Sequence, residues 1–349
     1  MKIDMILFIV FSLSILLLWW SYAGYITTLH FMGKKREREK VAKILNEADL
    51  PSITFIVPCH NEEGYIEAKV KNTLNLDYPK DRLSVIFADG QSTDRTIEKL
   101  KEKLIGHPHM TVLQTRVRGK IPQINKVLPD VSSKIIVISD VDGLLKEDAL
   151  LRLVEEFLHD PKVGVVGALI IPKHTIKSEE VFWRKNNEVR ILESQAHSSS
   201  IVIAVCYSFK NGIIDQFPED VVADDIYSSL QGNAKGFRVV YSNHAIAYEQ
   251  RTPKDLNSML KHKMRKSNAV LRELIRFMPH TFQRGFFWRV MYPTKLLQFM
   301  GFSILAPITA ISTSLLIFDP VFRLFVALAF FLLGLSIYFT HHITVNIPV

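Results

Sequence analysis

The sequence predicts an α/β domain built on a mostly parallel sheet and carried between one N-terminal and two C-terminal transmembrane helices. Three observations predict it. Apolar residues concentrate at both ends of the 349-residue chain. The polar middle alternates short apolar runs with amphipathic stretches, and acidic residues recur in the loops that follow those runs.

The ends come first. Met5 to Met32 contains no Lys, Arg, Asp or Glu and exceeds the ~20 residues that carry a helix across a bilayer, so residues 5–32 are expected to span. A cleaved signal peptide fits less well, because the apolar run is too long and Lys2 alone supplies a basic leader. Residues 296–318 and 324–340 form two further apolar runs, separated only by Asp319, Pro320, Val321, Phe322 and Arg323. That spacing suits a tight hairpin of spanning helices, and neither run shows the polar stripe of a surface-packed helix. Lys34, Lys35, Arg36, Arg38 and Lys40 lie in the linker 33–50, and Arg284, Arg289 and Lys295 lie in the segment 276–295. By the positive-inside rule both flanks face the cytoplasm, which makes this an integral cell-membrane protein with a cytoplasmic domain. Thr281 to Tyr292, rich in aromatics and arginine, reads as a short interfacial helix or as a simple lead-in to the second span.

The formal charge of +8 places basic flanks against anionic headgroups. No basic helix with interleaved aromatics occurs in the middle, which argues against nucleic acid as a partner. Cys59 and Cys206 are the only cysteines, too few for a disulfide framework or a zinc site. A transporter is disfavoured because the three runs lack ionisable residues.

Within residues 51–275, Ile53–Val57, Leu83–Ala88, Met110–Leu113, Ile135–Ser139 and Val163–Ile170 read as buried strands. Helices are expected around Ile97, Leu100 and Leu104, capped by Ser92 or Thr93, and over Glu147–Leu158. Such alternation gives a sheet covered on both faces, whose ligands bind beyond the carboxyl ends of the strands. The loops there carry Pro58-Cys-His-Asn-Glu-Glu63, Asp89-Gly-Gln-Ser-Thr-Asp94 and Asp140-Val-Asp-Gly143.

Asp140 and Asp142 stand one residue apart at a strand end, so extended backbone points both carboxylates the same way. They can share a hard divalent cation, Mg²⁺ or Mn²⁺, with substrate phosphates completing the shell. The same spacing also occurs in Asp-rich turns. Asp224 and Asp225 open an amphipathic segment, where mutual repulsion raises one carboxyl towards the range of a general base. Simple helix capping is the alternative reading. Arg118 and Lys120 precede a helix around Ile124 and Val127, placed either to hold phosphate oxygens or as solvated charge. Neither a P-loop nor a dinucleotide fingerprint is present, which disfavours an NTPase or a dehydrogenase.

In order, Val57-Pro-Cys-His-Asn-Glu-Glu63, Asp89-Gly-Gln-Ser-Thr-Asp-Arg-Thr96, Ser139-Asp-Val-Asp-Gly143 and Ala223-Asp-Asp225 resemble the inverting family 2 glycosyltransferases of GT-A fold. The resemblance runs from Pro51 to Ile275 and includes the terminal spans of hyaluronan synthase-like and ceramide glucosyltransferase-like members. It implies that Pro58 and Glu62 line a nucleoside pocket, that Asp89 meets the base, usually uracil, and that Lys120 approaches the diphosphate. It further implies that Asp140 lies near ribose and diphosphate, Asp142 ligates Mg²⁺ or Mn²⁺, Asp225 is the base and Asp224 supports it. The implied partners are a nucleotide-sugar donor, a lipid or glycan acceptor and the bilayer. Processive members carry Gln-x-x-Arg-Trp after the base. Here His262-Lys-Met-Arg-Lys266 keeps Arg265, for the diphosphate, but puts Lys266 where the acceptor-stacking tryptophan stands. That departure points to single transfer. Three spans are also few for one protomer to form an export channel, so polymer synthesis would call for a homo-oligomer or a synthase partner. A non-catalytic nucleotide-sugar-binding subunit is the reading from another class.

Overall fold

The structure is a computed structural model that describes residues 2–34 and 49–345. Most of the basic linker, Lys35 to Lys40 included, lies outside the described residues. The chain divides into two compact units, Met1–Glu39 with Leu274–Val349, and Lys40–Glu273.

The second unit is organised by one 8-stranded sheet of order β3-β2-β1-β4-β7-β6-β8-β5. Its strands are β1 (Ile53–Cys59), β2 (Leu83–Asp89), β3 (Met110–Gln114), β4 (Ile135–Ser139), β5 (Gly143–Leu145), β6 (Val163–Pro172), β7 (Cys206–Lys210) and β8 (Arg238–Glu249). Every residue of β1 and of β4 is buried. A continuous apolar run is what a strand covered on both faces requires, and each such side chain contributes roughly 1.5–3 kcal/mol of burial. β1 pairs in parallel with β2 and β4, and β2 with β3. This half matches the sequence expectation. The other half is mixed: β7 inserts antiparallel between β4 and β6, while β8 runs parallel to β6 and antiparallel to β5.

Helices follow the strands at Ile66–Leu74, Thr96–Lys103 and Lys120–Val127. The N-cap of the second of these helices is Arg95 rather than the expected Ser92 or Thr93, and Asp94 just before it accepts the Thr96 N–H at 3.0 Å and its hydroxyl at 2.6 Å on Oδ1. A Cβ at Gly90 would stand 1.7 Å from Nε2 of the buried Gln123, so any larger residue there would displace that side chain.

In the first unit, Asp4–Gly33, Phe287–Leu316 and Pro320–Thr340 are helices long and apolar enough to cross a membrane. The second begins nine residues before the expected start at Leu296. Residues 287–295, expected at an interface, are therefore helical and continuous with it, through π-helical turns at Phe287–Met291 and Leu297–Gly301. Pro293, which lacks an N–H, lies between these turns and is accommodated by them. With that start the helix also takes in Arg289 and a buried Lys295, which the shorter boundary excluded. Polar side chains within these helices pair with one another: Trp19 Nε1 donates to Ser336 Oγ at 2.9 Å, Trp20 Nε1 to Thr294 Oγ1 at 2.9 Å, and Thr309 Oγ1 to Ser14 Oγ at 2.8 Å.

Candidate active site

Beyond the carboxyl ends of β1 and β4 lies a cavity of about 530 Å³, within the usual range of ligand pockets. Pro58, Glu62, Lys120, Asp140, Asp142, Asp224, Asp225 and Arg265 all line it. Of the candidate site residues named from the sequence, Asp89 and Arg118 are the two that do not line it. For Asp89 the reason is its own loop. That side chain is buried, and its carboxylate accepts the Gln91 N–H at 3.1 Å and the Ser92 N–H at 3.3 Å, shaping the loop after β2.

The loops after β1, β2 and β3 each contain a non-glycine residue in the left-handed region: Asn61 (φ 55°), Gln91 (φ 63°) and Arg116 (φ 57°). Such conformations persist only where surrounding bonds fix them. Here Asn61 Oδ1 accepts the Thr93 N–H at 2.8 Å, and Gln91 Nε2 donates to the Arg116 carbonyl at 3.0 Å, so the three loops interlock.

Lys120 is the first residue of its helix, after Gly119 at φ 102°. Its Nζ lies 2.6 Å from Asp140 Oδ1 and 2.9 Å from Asp224 Oδ2. Asp224 also accepts the Tyr207 hydroxyl at 2.7 Å. Both Lys120 and Tyr207 meet it at Oδ2, and one of them is a cation, whereas the bonds to Asp225 come from backbone N–H groups. Asp225 accepts the Ala204 N–H at 3.0 Å on Oδ2 and its neighbour Ile226's N–H at 2.8 Å on Oδ1. Burial, then the charge of Asp224, push its carboxyl up to about 7, against the opposing pull of Lys120. A carboxylate in that range can take a proton at neutral pH.

Asp142 is raised by burial and by Asp140 beside it, with Arg251 opposing. Arg251 Nε lies 3.9 Å from Asp142 and its NH2 lies 2.5 Å from Glu62 Oε2. Asp140 and Asp142, both lining the cavity, present the hard oxygen donors that Mg²⁺ or Mn²⁺ takes, with room for phosphate oxygens. The residues fit a divalent cation.

Sequence reasoning missed several members of the wall or its support. Lys69 is wholly buried, its Nζ donating to Ser139 Oγ at 2.6 Å and the Gly143 carbonyl at 2.5 Å, so it ties both ends of the Asp140–Asp142 loop. Burial pushes its ammonium down to about 8. Arg251 and Glu249 come from the end of β8, where no motif spacing marks them. Tyr207 sits on β7, a strand the apolar pattern did not reveal. His262, at the position of the family's glutamine, is pushed down to about 4 by burial and by Lys266 and Arg265. It is therefore neutral at physiological pH.

This sheet, with acids at its strand ends, is the GT-A arrangement. Residues 54–217 match the family model described as glycosyl transferase family 2, and the chain carries a domain of that family. It is 27% identical over 231 residues to poly-beta-1,6-N-acetyl-D-glucosamine synthase of Staphylococcus aureus, covering 63% of this chain and 55% of that one. It is 31% identical over 160 residues to beta-monoglucosyldiacylglycerol synthase of Nostoc sp., covering 45% of this chain and 33% of the relative. The chain thus spans about half or less of these relatives' lengths. In fold it resembles a mannosyltransferase from Pyrobaculum calidifontis in complex with GDP-Man and Mn²⁺, with a TM-score of 0.62 and 21% identity, covering 97% of this chain and 99% of that one.

Proposed function

We propose that this chain is a membrane-bound inverting glycosyltransferase that moves a sugar from a nucleoside diphosphate sugar, with Mg²⁺ or Mn²⁺, to a hydroxyl of a lipid or glycan. The observation that carries this reading is Asp225, pushed up to about 7, in the same cavity as the Asp140–Asp142 pair and Lys120. One group takes a proton while the others meet a diphosphate.

Asp225 takes the proton of the acceptor hydroxyl. The acceptor oxygen forms its bond to the anomeric carbon from the face opposite the diphosphate, the carbon–oxygen bond to the diphosphate breaks, and the nucleoside diphosphate leaves with the electron pair. Inversion follows from that single displacement. Asp140 and Asp142 are the residues that hold the cation, which supplies neutralisation of leaving-group charge when bound. Lys120 and Arg265 add positive charge on the same side, and Asp224 keeps Lys120 and the base in register. Glu62, fixed by Arg251, and Pro58 line the nucleoside side, with Asp89 setting the loop behind them. The donor is proposed to be a UDP-sugar, as implied by the family resemblance; the structural neighbour bound to GDP-Man makes GDP-mannose the first alternative to test. The polar middle is proposed to face the cytoplasm.

Lys266 in the acceptor-stacking position supports single transfer. The relative named as a polysaccharide synthase favours a second reading, processive synthesis with an oligomer or partner for export. Detergent-purified protein is incubated with UDP-glucose, UDP-GlcNAc, UDP-galactose and GDP-mannose, Mg²⁺ or Mn²⁺, and membrane lipid. Metal-dependent nucleoside diphosphate release from one donor is expected, with a product of fixed length over time. Lengthening products would favour the processive reading, and no release from any donor would favour the non-catalytic subunit.

A further inference from the structure

One wall of the cavity holds a carboxylate that the reaction described above does not use. Glu249 ends β8 and is 5% exposed. Its Oε1 lies 3.2 Å from Lys266 Nζ, whereas Oε2 is buried and has no hydrogen-bond partner among the described residues. Both Glu249 and Lys266 line the cavity. Leaving a buried carboxylate oxygen without a donor is unfavourable, so the site has room for something that supplies one.

Its place in the sheet says what. β5 pairs with β8 so that Glu249 faces Gly143, the residue after Asp142, and the Gln250 N–H donates to the Asp142 carbonyl at 2.9 Å. Glu249 is therefore the residue that the sheet register sets beside the diphosphate end of the site. A diphosphate in a nucleotide sugar is flanked by the ribose on one side and the hexose on the other; Pro58 and Glu62 are assigned above to the nucleoside side, which leaves the hexose, a ring of hydroxyl donors, for Glu249. A third metal ligand is the competing role, and it predicts that diphosphate affinity in Mn²⁺ falls together with donor affinity when Glu249 is replaced, which the test below reads. Lys266 already compensates the charge of Glu249, and its own ammonium lies 4.9 Å over the ring of the buried Trp183. The pair is thus held from behind, with one carboxylate oxygen left over.

We propose that Glu249, oriented by Lys266, is a specificity-determining residue that accepts a hydrogen bond from a hydroxyl of the donor hexose. This rests on the glycosyltransferase reading. Lys266 then has a physical reason to replace an aromatic ring: it positions a hydroxyl acceptor instead of offering a stacking face.

The test compares Glu249→Gln, which keeps an acceptor oxygen, with the double variant Glu249→Leu/Lys266→Met, which removes the pair without leaving a buried unpaired charge. Titration calorimetry with UDP and GDP in Mn²⁺, and KM and kcat for the matching nucleotide sugars, are measured on the full-length protein in detergent. In the double variant the KM for the sugar donor is expected to rise at least roughly tenfold, as for loss of a hydrogen bond to a charged group. Nucleoside diphosphate affinity is expected to stay at the wild-type value, and Glu249→Gln to lie between the two. Unchanged donor KM in the double variant overturns the role of Glu249 and leaves the glycosyltransferase reading intact. Equal losses for diphosphate and sugar donor also overturn it, since the residue would then serve the diphosphate or the fold. Wild-type protein that binds no nucleotide and turns over no donor overturns both.

Discussion

Lys120 Nζ sits 2.6 Å from Asp140 Oδ1 and simultaneously reaches Asp224, so one ammonium joins the proposed cation-binding acids to the pair that contains the proposed base. The side chain is 34% exposed, so solvent screens part of its worth. Even so, its removal leaves two carboxylates facing each other without compensation.

Lys120→Met is therefore expected to lower stability by about 1–3 kcal/mol, and to lower kcat/KM by roughly a hundredfold or more, as for loss of a charge that meets the leaving group. Thermal unfolding and donor kinetics on the same preparation check both. Wild-type kcat/KM in this variant would remove Lys120 from the mechanism.

As the proposed base, Asp225 would act only when deprotonated. Its carboxyl is pushed up to about 7, by burial first and by Asp224 second. The kcat/KM profile is expected to rise with pH through about 7 on its acid side, reporting the free enzyme. An acid limb near the ordinary carboxylate range would mean that another group carries the proton.

The same raised value has a consequence for folding. Between 3.8, the ordinary value, and about 7 the folded protein keeps a proton that the unfolded chain releases. Wild-type stability from this group is therefore present at low pH and lost as pH rises towards about 7. Asp225→Asn, which cannot ionise, is expected to gain on wild type across that window, by roughly 2–4 kcal/mol at most. Denaturation midpoints of the two proteins at several pH values, without donor or metal, read this directly. A difference that is flat with pH would contradict it.

Asp142→Asn removes one of the two acids that favour a cation and relieves their mutual repulsion. Mn²⁺ affinity, measured by electron paramagnetic resonance, is expected to fall at least roughly tenfold, with the thermal midpoint unchanged or raised. Undiminished Mn²⁺ binding would move the cation elsewhere.

How much of this was legible beforehand depended on which signals are local. β1 and β4 are buried on both faces, and so are most of β2 and β6, so they appear as continuous apolar runs. β5 is only three residues long, and β7, reading Cys-Tyr-Ser-Phe-Lys, owes its strand state to pairing with β4 and β6 across the fold. No local pattern encodes that insertion, and with it went Tyr207. Asp140, Asp142 and Asp225 announced themselves by adjacency of like charges. Glu249 and Arg251 are single residues whose meaning comes from register with Gly143 and contact with Glu62. Lys69 carries no local signal, and only its bonds to Ser139 Oγ and the Gly143 carbonyl place it at the loop of Asp140 and Asp142. The start of the second apolar helix was placed late because the uncharged apolar run begins only after Lys295, whereas π-helical turns carry the helix through the preceding residues.

The most direct measurement is single-turnover nucleoside diphosphate release by wild-type protein and Asp225→Asn, each first shown by calorimetry to bind the nucleotide with Mn²⁺. Metal-dependent release by wild type, slowed roughly a thousandfold or more in a variant that binds nucleotide equally well, is the expected result. Equal release rates in the two proteins would contradict a base at Asp225 and, with it, the proposed displacement.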